Sequence, residues 1–213
     1  MKTFWWISGG IGALGLLVLL DPSHACRRHR AFTTISLTRS MCRSGNERNA
    51  TASLKTLASA QADYRGNDRD GNKLQEYWRS DISGFYGVLP AGSTEMIKLI
   101  ELSVAGADGA PAGKADIGDA GPGQVALDRY TVPAPKAGYL FRSLRHADEA
   151  PDALDRHNRF AACAYPANYE VSGVMTFIID ENNTIFFRDL GRPGPPDVYP
   201  DPETLKRDWE KLD

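Results

Sequence analysis

Cysteine is scarce in this sequence: three residues in 213, Cys26, Cys42 and Cys163, with no Cys-x-x-Cys pair among them. That excludes a disulfide framework and a thiolate zinc site. The four histidines show no H-E-x-x-H spacing, and no P-loop or strand-borne Gly-x-Gly-x-x-Gly occurs. The Gly-rich stretch "GADGAPAGKAD" lacks the Gly-Lys-Ser/Thr ending that a phosphate cradle needs. Positive charge is also short in the body of the chain. Residues 1–46 hold six Lys and Arg against Asp21 alone, which leaves everything from Glu47 onward near −7. A nucleic-acid interface on that body is disfavoured, because phosphate contacts require clustered Lys and Arg.

What is present begins with an apolar run. "FWWISGGIGALGLLVLL" spans residues 4–20 without a charge. Its 17 residues stand at the lower edge of what a helix needs to cross a bilayer, and exceed a usual signal-peptide core. Ser23 and Ala25 supply small residues at −3 and −1 of a signal-peptidase cut before Cys26. A lipoprotein cut there would want an aliphatic residue where Ser23 stands. The basic flank "CRRHR" opposes export, because the positive-inside rule keeps such a flank in the cytoplasm. The organisation expected is a signal peptide or membrane anchor over 1–25, a basic linker over 26–46 and an extracytoplasmic α+β domain over 47–213. The membrane is a partner if the N-terminal helix is not cleaved.

Within that domain the periodicity changes along the chain. Ala50, Leu54, Leu57, Ala58, Gln61 and Tyr64 recur at helical spacing, which predicts a helix from Glu47 that ends before Gly66. "LQEYW" and "DISGFYGVL" are short aromatic pieces, each long enough for one helical turn. Met96, Ile97, Ile100, Leu102 and Val104 predict a second helix within 94–107. Residues 106–126, rich in Gly, Ala, Asp and Pro, read as a long loop. "AGYLFRSL" and "RFAACAYPA" then read as strands, and residues 173–191 as a hairpin turning at Asp180–Asn183. After the connector "GRPGPPDVYP", Asp201 is placed to cap a last helix with Pro202 at its first position and Leu205, Trp209 and Leu212 on one face. Helices first and an antiparallel sheet later make the class α+β, with the first helix packed on the sheet.

Few side chains form a pattern that implies chemistry. Asp68, Asp70 and Asn72 stand on alternate positions beside Gly71, as calcium-binding oxygens often do. A helix-loop-helix frame starting at Asp68 puts Lys73 at position 6 and Arg79 at 12. A frame with Gly71 at 6 puts Gly66 at 1 and Tyr77 at 12, so neither supplies the closing acid. Two readings stay open: a polar turn that ends the helix, and an irregular calcium site made by Asp68, Asp70 and Asn72. Glu149, Asp155 and His157 could form an acid–base set, although "HADEAPDALDRHNR" reads more simply as a solvated loop. Cys163, inside "FAACAYPA", reads as a small buried residue.

A resemblance follows from two of these stretches. "GYLFRSL" (138–144) and the run "AYPANYEVSGVMTFIIDENNTIFFRDLG" (164–191), with its AYP-x-x-Y-x-x-x-G-x-x-TF pattern and closing DLG, resemble the bacterial family called domain of unknown function 2950. "SLKTLASAQADYRGNDRDGNKLQEYW" (53–78) resembles the segment following the N-terminal hydrophobic helix in uncharacterised planctomycete envelope proteins and, more loosely, the LRTI-x-x-AQ-x-x-Y stretch of pilin-like proteins. The resemblance implies an exported, pilin-like α+β domain with no catalytic residues or cofactor to carry over. It departs from type IV prepilins at "HRAFTTISLTRSM", where Ala31 precedes Phe32 and neither a glutamate nor an apolar continuation follows. The function expected is a non-enzymatic structural or interaction module of the cell envelope, with a protein partner there. The alternative is a small periplasmic ligand-binding protein or hydrolase using the 106–126 loop as a lid.

Overall fold

The computed structural model describes residues 22–78, 80–90, 92–111, 132–147, 158–192 and 194–212, with the backbone alone over 22–40. The chain divides into two units, Met1–Thr38 and Arg39–Asp213. The described part of the first unit is helical. The apolar run 4–20 lies outside the described residues. Among those described, no helix is long and apolar enough to cross a membrane.

Helix α1 spans Pro22–Gly66, so it starts well before Glu47 and includes the basic stretch 26–46. Gly45 is the one breaker between Pro22 and Gly66. The predicted stripe is the buried one: Ala50, Leu54, Leu57, Ala58, Gln61 and Tyr64 all face the core. Past Gly66 the chain turns through residues 67–76 and reaches Trp78, whose backbone exchanges two hydrogen bonds with the Gln61 side chain, at 2.7 and 2.9 Å.

The next stretch corrects the expected second helix. "DISGFYGVL" does contain one 3-10 turn, Ser83–Tyr86, but "LQEYW" is not helical. Residues 94–107 hold only a four-residue helix, α2 (Leu102–Ala105). Ile97 instead exchanges backbone hydrogen bonds with Val88, and Leu99 N–H donates to Phe85 O. Those long-range bonds claim the groups that a helix would have used internally, and Met96 and Leu102 are left 43% exposed.

The sheet comprises β1 (Tyr139–His146), β2 (Ala161–Pro166), β3 (Met175–Asp180), β4 (Ile185–Asp189), β5 (Val198–Tyr199) and β6 (Glu210–Lys211), in the order β5-β1-β2-β3-β4-β6. Among the described residues all strand pairs are antiparallel except β1–β5, where Arg145 and His146 pair in parallel with Val198 and Tyr199. The proline-rich connector therefore contributes an edge strand that its composition concealed. The β3–β4 turn is the predicted one: Asn183 N–H donates to Asp180 O at 3.0 Å, and Asn183 takes a positive φ of 57°.

Strand alternation sorts side chains onto two cores. Tyr139, Phe141, Ala162, Ala164, Phe177, Ile179 and Ile185 join the α1 stripe. Leu144, Ala161, Cys163, Ile178, Tyr199 and Trp209 form the opposite core, with Phe186 and Leu205 packed against it. Helix α3 (Pro202–Asp208) is capped as expected: the Asp201 carboxylate accepts from the backbone N–H groups of Glu203 and Thr204. It ends before Trp209, however, because the chain turns extended there to pair β6 with β4. Trp209 remains in the core while Leu212 leaves the shared face, 39% exposed.

Side chains fasten α1 across the sheet. Asn46 donates to Ser172 O at 2.8 Å, Glu47 accepts from Val174 N–H at 3.2 Å, and Lys55 donates to Asn183 Oδ1 at 3.1 Å. Gly173 permits a close approach at the same end. A Cβ there would stand 2.1 Å from the Tyr139 hydroxyl, which donates to Met175 O at 2.9 Å.

Candidate functional site

The alternating triad of residues 68–72 lies in a tight turn after α1. Asp68, Gly71 and Lys73 all take positive φ, which lets the chain reverse within six residues. Asp68 Oδ2 accepts from Lys73 N–H at 3.0 Å, Asn72 Oδ1 accepts from Leu74 N–H at 2.7 Å, and the Asn72 amide donates to both Asp70 Oδ2 (2.8 Å) and Glu76 Oε1 (2.6 Å). The structure thus brings Asp70 and Asn72 into contact and adds Glu76, which the spacing did not single out. Asn72 presents a donor to the two carboxylates, where a calcium ligand would present an oxygen. Asp68 Oδ1 is buried without a hydrogen-bond partner. Burial pushes the Tyr64 phenol upward in pKa, and the Asp70 carboxylate, by its charge and a hydrogen bond to that phenol, pushes it further, with Glu76 and Asp68 adding to the effect. Among the described residues, no group of three or more His, Cys, Asp or Glu is arranged to hold a metal ion.

A second acidic centre was missed in the sequence. Asp108, read there as part of a Gly-rich loop, is buried, and its carboxylate gathers three backbone N–H groups: Ile82 and Ser83 at 2.8 Å each on Oδ2, and Ala110 at 2.9 Å on Oδ1. Asp81 is buried next to it, accepting from Gly84 N–H at 2.9 Å and from the Ser83 hydroxyl at 2.7 Å. Burial raises the Asp108 carboxyl to about 6; the N–H bonds oppose that rise and the Asp81 charge reinforces it. Together the two acids hold the 3-10 turn. Ala107 and Gly109 exchange backbone bonds with Phe141, so the same segment is tied to β1. The close approach requires glycine at 84, where a Cβ would fall 2.3 Å from the Trp78 ring. The signal that could have found Asp108 is its own Asp-Gly step, a turn dipeptide between two short apolar pieces.

A third cluster closes one end of the sheet. His146, buried on β1, places Nε2 3.2 Å from Phe160 O and 3.7 Å from Glu181 Oε2. Arg159 Nε donates to Glu181 Oε1 at 3.3 Å, and the Tyr199 ring lies 5.1 Å from the imidazole. Burial pushes the Tyr199 phenol up, with the Asp180 charge next in effect. Glu149, Asp155 and His157, the acid–base set considered from the sequence, lie outside the described residues, as do 112–131 of the lid-like loop. Cys163 is fully buried and burial pushes its thiol up to about 12, consistent with the packing role expected of it.

Residues 103–198 match the family described as "Protein of unknown function (DUF2950)". The match runs from α2 to the start of β5 and includes both stretches, 138–144 and 164–191, that carry the resemblance in the sequence. Asp108 falls inside it, while α1, the 67–76 turn and α3 fall outside. No curated protein and no solved structure matches the chain.

Proposed function

We propose that this protein is a non-enzymatic module of the bacterial cell envelope. In this reading it is exported, and either held to the membrane by residues 4–20 or released by a cut before Cys26. Its role is structural or one of binding a protein partner in the envelope, in a pilin-like arrangement of one long helix and a small sheet.

The observation that carries the reading is α1. It is described from Pro22, two residues past the apolar run in the sequence, and from Ala50 to Tyr64 it forms the helix layer of the Arg39–Asp213 unit. In this reading the apolar run 4–20, which precedes α1 in the sequence, would serve as the anchor or signal and the helix-and-sheet unit as the exported part. The use of the polar side chains supports the same reading. Asp81 and Asp108 organise a turn, the residues around Asp70 close another, and Glu47 and Asn46 tie α1 to the 168–175 segment. These are roles in holding shape.

The test is the location and N-terminus of the mature protein in its host, by fractionation, protease shaving of intact cells and N-terminal sequencing. Shaving of a chain that keeps residues 1–25 is expected for the anchored form, and a start at Cys26 for the released one. Protection from protease in both intact and osmotically opened cells would place the domain in the cytoplasm and end the envelope reading.

A further inference from the structure

We draw no further inference here: the strongest candidate, the cluster of buried His146 and Tyr199 with half-buried Arg159 and Glu181 at the end of the sheet where β1 and β5 meet, is next in sequence to residues 148–157, which lie outside the described residues and could add charged groups to it.

Discussion

Replacing Asp108 with alanine removes the acceptor for three backbone N–H groups at once, and the cost should depend on pH in a direction the geometry sets. Ile82 and Ser83 are buried, so their N–H groups lose a partner at 2.8 Å with no water to replace it. Each orphaned buried donor costs about 1–3 kcal/mol. Ala110 is exposed and rehydrates. Against that loss stands relief of a carboxylate that is costly to ionise where it sits. Its pKa is raised to about 6 by burial, so the folded state binds the proton more tightly than the unfolded one does. The stability this group contributes is therefore fully present below about pH 4 and is lost as pH rises through about 6, a difference of roughly 3 kcal/mol for a shift of about two units. The deficit of D108A should then be about 4 kcal/mol near pH 4, a fall in Tm of roughly 10 °C for a unit of this size. By pH 7 it should shrink to about 1 kcal/mol. Urea denaturation of wild type and variant at pH 4, 5, 6 and 7 measures both values. A deficit that widens as pH rises would mean that the N–H groups outweigh burial and hold the carboxylate ionised, and the reasoning would be wrong.

Three further outcomes are expected. Gly173→Ala, whose new Cβ would stand 2.1 Å from the Tyr139 hydroxyl, should cost about 1–3 kcal/mol by overpacking a buried ring; an unchanged thermal melt would show that the 168–174 segment moves aside freely. Asp201→Ala removes the acceptor for the N–H groups of Glu203 and Thr204 and should lower the melting temperature of the full chain slightly; no shift would mean that α3 does not depend on its cap. Millimolar calcium should move Tm by less than about 1 °C, because the Asn72 amide already bridges Asp70 and Glu76; a rise of several degrees would establish the irregular calcium site at Asp68, Asp70 and Asn72.

The legible parts of this fold are those whose cause is local. The α1 stripe, the β3–β4 hairpin and the Asp201 cap each rest on residues within a few positions of one another, and each is present. The helix expected over 94–107 fails where a distant partner intervenes: Val88 and Phe85 take the hydrogen bonds of Ile97 and Leu99, outweighing the helical spacing of Met96, Ile97 and Ile100. The end of α3 and the parallel strand β5 were hidden for the same reason, since both depend on what β4 and β1 offer across the sheet. Among candidate sites, the triad at 68–72 was visible as a pattern, but its closure by Asn72 and Glu76 was not. Asp108 drew no notice because what makes it important, the N–H groups of residues 82 and 83, comes from another part of the chain.

The sheet's margins carry a consequence for how copies of this protein can meet. On one side β1 is covered by the backbone bonds of Ala107 and Gly109 and then by two-residue β5; on the other, β4 is covered by two-residue β6. Among the described residues the outermost strand on either side is two residues long, a short template for an incoming extended chain, and Arg188 and Asp189 of β4 extend past β6. Very short edge strands of this kind are one of the ways in which folded sheets discourage edge-to-edge aggregation.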